Sequence, residues 1–179
     1  MEGQSESEQK AGSKANQIEI RQLSEELKGL VDARQKWLAS TTHFVKQGDV
    51  YLNIDKTFKQ EFKVLIDKLN HPQSAQVSLF RTEDNNKPTR VHDSRLKRIL
   101  YIYPLHISDG LTKVHSEYPG SPGSISKEIR VGTSVVFRDH VFIDGVLNFL
   151  MIGVPREDAE HFQHTNKEGM AEERNENPK

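Results

Sequence analysis

Two stretches of this chain restrict its fold more than anything else in it: "RILYIYPLHI" (98–107) and "VLNFLMIGV" (146–154). Both have the β-branched and aromatic character of strands, and both are apolar on either side of the alternation. A strand with one wet face alternates apolar and polar residues, whereas one that is apolar on both faces has to be covered twice. Asp144-Gly145 precedes the second stretch, and a two-residue Asp-Gly loop favours a tight hairpin. That register sorts the end of the chain into two faces. One holds Val135, Phe137, Asp139, Val141, Ile143, Val146, Asn148, Leu150 and Ile152; the other holds Val136, Arg138, His140, Phe142, Leu147, Phe149 and Met151. Helices can cover one face. A partner subunit, a loop or a ligand is left to cover the other.

Helical periodicity is confined to the first half. Ile20, Leu23, Leu27, Leu30, Arg34, Trp37, Thr41 and Phe44 recur every three or four residues, a heptad-like stripe that predicts one helix over residues 17–47, stopped by Gly48. Such a stripe is either a coiled-coil seam between two copies or an amphipathic helix lying on its own domain. Phe58, Phe62, Leu65, Ile66 and Leu69 predict a second helix, ended before Pro72. From residue 76 the period becomes two. Strands are expected at 76–81, 98–107, 111–118, 126–137 and 146–154, with hairpins at Asp109-Gly110 and Asp144-Gly145. The expected fold class is α+β: a long N-terminal helix and a second helix packed on an antiparallel sheet of about five strands.

Residues 1–16 lack apolar periodicity and are expected to be a disordered tail, residues 17–155 a single domain, and residues 156–179 a polar tail. The chain has 179 residues, no cysteine and a formal net charge of −1. Without a basic stripe, nucleic acid is not an expected partner. Without a run of about 18 apolar residues or a charged-then-apolar leader, neither a membrane span nor a secretory signal is expected, and the expected location is cytoplasmic.

No motif fixes a reaction. "GSPGSISK" (120–127) has the composition of a phosphate loop but not its Gly-Lys-Ser/Thr ending. His161 and His164 are spaced to share a helix face but sit in a polar tail, and strict pairing across Asp109-Gly110 sets His106 opposite Lys113, which builds no zinc site. No catalytic residue, metal site or cofactor is therefore expected. Arg138 and His140 share a strand face and leave Asp139 on the other; they line a ligand, or 138–140 is an exposed turn. Tyr101 and Tyr103 put polar tips on a face that needs cover. These four are the expected ligand contacts.

"SVVFRDHVFIDGVLNFLMIGV" (134–154), joined to the 20–44 stripe, resembles the closing hairpin and signalling helix of the PAS, GAF and Cache group of sensory modules, across about residues 17–155. The resemblance implies a non-enzymatic regulatory or sensory module that self-associates and binds a small molecule beside its sheet. The interface would be Ile20, Leu23, Leu27, Leu30, Trp37 and Phe44. The competing expectation is a structural or assembly protein, with that stripe and the apolar sheet face as interfaces for a protein partner. A cavity beside the sheet is the observation that separates the two.

Overall fold

The computed structural model describes residues 17–83, 87–93, 97–108 and 110–159. The predicted long helix is absent. Its span holds strand β1 (Glu19–Gln22), helices α1 (Glu25–Asp32) and α2 (Gln35–Ser40), and strand β2 (Phe44–Gln47). Local chemistry divides it. Leu23 donates its backbone N–H to Gly132 O at 2.9 Å, holding the start of the segment to a distant loop. The Ser24 hydroxyl then accepts from Leu27 N at 3.3 Å, so α1 starts at Glu25 behind a side-chain cap. At the far end Thr41 is extended, and Asn53 Nδ2 donates to its hydroxyl at 3.1 Å. β2 then turns back into strand β3 (Val50–Asn53) through Gly48-Asp49, with Gly48 at φ 62°. The glycine expected to stop a helix opens a hairpin instead. The second predicted helix forms as two short pieces, α3 (Phe58–Glu61) and α4 (Lys63–Leu69), ending at Asn70 in the left-handed region.

Among the described residues eight strands follow: β4 (Gln76–Thr82), β5 (Thr89–His92), β6 (Arg98–Ile107), β7 (Thr112–His115), β8 (Ser126–Ile129), β9 (Thr133–Phe137), β10 (His140–Asp144) and β11 (Leu147–Pro155). They form two antiparallel sheets. The larger has the order β1-β9-β6-β11-β4-β3-β2, and the smaller β5-β10-β7-β8. From β4 onward the strands lie in the order β4-β11-β6-β9 in one sheet and β5-β10-β7-β8 in the other, which is a jelly roll. β1, β2 and β3 widen its larger sheet.

This overturns the α+β expectation of helices on one five-stranded sheet, and both predicted Asp-Gly hairpins with it. β10 belongs to the small sheet and β11 to the large one, so Asp144-Gly145 carries the chain between sheets. Gly145 has φ 127°, and a Cβ there would lie 2.6 Å from Thr112 Oγ1. Its glycine serves a crossing under steric constraint as well as a turn. The other site behaves alike: β6 lies in the large sheet and β7 in the small one, with Gly110 at φ 72° between them. A two-residue turn satisfies its local geometry in either setting, and only the partners of the flanking strands distinguish them. The resemblance to PAS, GAF and Cache modules rested on the 134–154 hairpin and the helical seam, and it falls with them.

The second cover is supplied by the chain itself. On the outer face of the large sheet, Ile99, Tyr101, Tyr103, Leu150, Ile152 and Val154 pack under the helices with Val31, Leu38, Phe62 and Leu65. On its inner face Leu100, Ile102, Leu147 and Phe149 meet Val91, Val114, Val141 and Ile143 of the small sheet. Leu23, Leu27, Leu30, Trp37 and Phe44 pack against the outer cluster and Ile20 against the inner one, so the stripe read as a possible coiled-coil seam is an internal packing surface. Pro104 is tolerated in the central strand because the β6–β11 register shifts beside it, leaving Leu105 as an extra residue.

Replacing Leu27 and Leu30 together with Asp is expected to lower stability by about 2–4 kcal/mol in urea unfolding, since each apolar contact is lost to a charge that must be hydrated. The mass of the folded species in solution should not change. Gly145→Ala is expected to cost about 2–3 kcal/mol, as it adds backbone strain to a clash with Thr112.

Candidate ligand-binding site

A cavity of about 580 Å³ lies between the two sheets, lined by β4, β6 and β11 of the large one and β5 of the small one. Its floor is the inner face of the large sheet, read off the register in rows. Gln76 on β4 is opposite Gly153 on β11, which is opposite Leu100 on β6; in the next row Ser78, Met151 and Ile102 align; beyond these Phe80 pairs with Phe149. The Phe80 and Phe149 rings stack with centroids 5.7 Å apart. Val91 and Asp93, both buried, close the side formed by β5, and the Gln47–Leu52 hairpin rims the opening.

Arg98 lines this cavity together with other polar groups, Asp49, Arg90, His92 and Asp93 among them. It opens β6 beside Pro155, and its side chain lies back across Gly153, where a Cβ would stand 2.9 Å from Arg98 Cδ. Arg98 Nη1 thereby reaches Gln76 Oε1 on the far strand and donates to it. Gly153 thus leaves room for the Arg98 side chain to lie along the rim of the apolar floor, where its hydrogen bond to Gln76 is open to solvent.

The four expected ligand contacts do not converge. Tyr101 and Tyr103 lie on the helix-covered face, away from the cavity, both 5% exposed. His71, just after α4, shares a 2.6 Å hydrogen bond between its Nε2 and the Tyr103 hydroxyl, and its ring lies 4.5 Å from that of Tyr101. Burial pushes the Tyr103 hydroxyl well above its ordinary range. Burial, reinforced by Arg21, pushes His71 down to about 4, so the imidazole is neutral. Arg138 is exposed in the bend between β9 and β10. His140 is half-buried on the outer face of the small sheet, 3.3 Å from Glu117 Oε2 and beside Phe142. Its cross-strand partner is His92, while Val141 and Val91, also paired, face inward. Among the described residues no group of three or more His, Asp or Glu side chains is gathered as a metal site requires. Asn148 accepts a hydrogen bond from Arg81 Nε at 2.7 Å. His161, His164 and Asp109 lie outside the described residues.

Sequence reasoning missed Arg98, Gly153 and the Phe80–Phe149 pair. One signal was available: a glycine interrupting an otherwise bulky strand marks a close approach by another group. What approaches it is a residue more than fifty positions earlier, which no local pattern identifies.

The fold and cavity define a jelly roll with a cavity between its sheets. Neither a protein-family model nor a curated protein matches the chain. Among solved structures it is similar to a prolyl hydroxylase in complex with a hypoxia inducible factor oxygen degradation domain peptide fragment from Trichoplax adhaerens. The TM-score is 0.47 at 12% identity, covering 78% of this chain and 84% of that one. A likeness at this level speaks to neither activity nor substrate. No helix among the described residues is long and apolar enough to cross a membrane.

The half-buried His71 gives a pH dependence with a definite sign. Above its ordinary value of 6.5 the imidazole is neutral whether the chain is folded or unfolded, and stability is complete. As pH falls toward about 4, the unfolded chain takes up a proton that the folded one refuses, and stability drops. Urea unfolding is expected to show the wild type losing about 2 kcal/mol more than His71→Gln over this window, the half-exposed ring keeping the difference below its full linkage value.

Proposed function

We propose that this chain is a non-enzymatic binding module of regulatory type, and that its ligand is a small molecule with an apolar body and a carboxylate, held between the two sheets. The observation that carries the reading is the Arg98 guanidinium laid over Gly153 at the edge of an apolar floor. A cavity of about 580 Å³ suits such a ligand, since small-molecule sites run to a few hundred cubic ångströms with a few fixed polar groups. Phe80, Leu100, Phe149 and Met151 would take the apolar body, and Arg98 the carboxylate by charge-assisted hydrogen bonds. Gln76 orients the guanidinium from β4. This keeps the expected small-molecule role but moves the ligand from beside a sheet to between two.

The probe is 4-phenylbutyrate, with neutral 4-phenylbutanol as its control, titrated into the full chain and followed by backbone amide shifts. The butyrate is expected to shift Phe80, Leu100, Met151 and Gly153 saturably, and Arg98→Gln to weaken it about tenfold. Gly153→Ala is expected to weaken it similarly while costing under about 1 kcal/mol in stability, because the flexible Arg98 chain can move aside. Equal affinity for the alcohol, or no saturable shift at these positions, would overturn the proposal.

A further inference from the structure

The large sheet has a second cavity on its other face. It has a volume of about 780 Å³ and lies between α2 and the edge of the sheet formed by β3, β4 and the start of β11. At its centre is Arg81, which the alternation of β4 turns away from the sandwich interior that Phe80 enters. Two contacts immobilise its guanidinium. Arg81 Nε donates to Asn148 Oδ1 at 2.7 Å, and the guanidinium carbon stands 4.2 Å over the Phe44 ring. Asn148 is itself buried, and it is the cross-strand partner of Arg81. The anchor is therefore built from the sheet and does not depend on a mobile surface side chain.

With Nε bonded and one face stacked, the two Nη groups of Arg81 remain, and no carboxylate pairs with them among the described residues. The acid nearby is already compensated: Glu83 accepts from Lys46 Nζ at 2.8 and 3.1 Å and from the Tyr51 hydroxyl at 3.2 Å. The cavity is left with one uncompensated positive charge on a planar fork, the geometry that binds an oxyanion through two parallel hydrogen bonds. A single cation matches a monoanion. Around it stand Gln35, Tyr51, His106 and Ser108, all able to hydrogen-bond hydroxyl groups.

We infer that this cavity is a second ligand site, which takes a small hydroxylated monocarboxylate, of the sugar-acid class, on the Arg81 fork. It is independent of the site between the sheets, since the two lie on opposite faces of the large sheet and recognise different ligand bodies.

The test uses gluconate, sorbitol and inorganic phosphate on the full chain, read through the Arg81 Nε–H resonance and the amides of Tyr51, His106 and Ser108. Gluconate is expected to shift all of these saturably and sorbitol to bind about tenfold more weakly or not at all, since the fork contributes only to an anion. Arg81→Gln is expected to abolish the gluconate response and leave the 4-phenylbutyrate response intact; Arg98→Gln is expected to do the reverse. Sorbitol shifting the same groups with equal affinity would overturn the inference without any variant, and so would a silent Arg81 resonance. Phosphate binding more tightly than gluconate would overturn the carboxylate assignment.

Discussion

The pairing of β6 with β11 organises the molecule. These two central strands run antiparallel over nine registered residue pairs and carry apolar side chains to both sides. Burying side chains such as Leu147, Phe149, Leu150 and Ile152 stabilises the fold by about 1.5–3 kcal/mol each, but only if both faces leave water. That requirement sets the layering. The helices close one face, and the strands that alternate with β6 and β11 along the chain close the other. Either layer alone would leave a row of Leu, Ile and Phe in contact with solvent.

The sequence was informative about each strand and silent about its neighbours. The alternation within 133–137, 140–144 and 147–155 was readable, and Val135, Phe137, Val141 and Ile143 do share the interior. Joining those pieces through an assumed hairpin then put Leu150 and Ile152 on the same face as Val141, whereas the crossing at Gly145 puts them under the helices. The stripe from Ile20 to Phe44 failed for a similar reason. Its spacing was real and its side chains are packed, but the Ser24 cap and the pinned Leu23 cut it into strand and short helices. Periodicity reports which side chains are buried; it does not report how many elements bury them.

The site shows the same limit. Arg138, His140, Tyr101 and Tyr103 stand out in a linear reading because each interrupts an apolar run. The fold scatters them between an exposed bend, the outside of the small sheet and the floor of the helix layer. Arg98 and Arg81 look unremarked at strand positions, yet each is given a fixed pose by a partner far along the chain, Gly153 in one case and Asn148 in the other. Both partners lie on β11. The strand that completes the central pairing also sets the two cationic side chains, one on each of its faces.

The crossings have a kinetic consequence. Phe80 waits for Phe149, and Ile20 for Val135, so much of the large sheet closes only when segments far apart in the chain meet. Closing such loops costs entropy before any packing repays it, and topologies dominated by distant pairings fold slowly. During synthesis β6 emerges with two apolar faces and no β11 beside it. For that interval the nascent chain presents the surface that molecular chaperones recognise, and the pace at which residues 147–155 arrive sets how long it must be shielded.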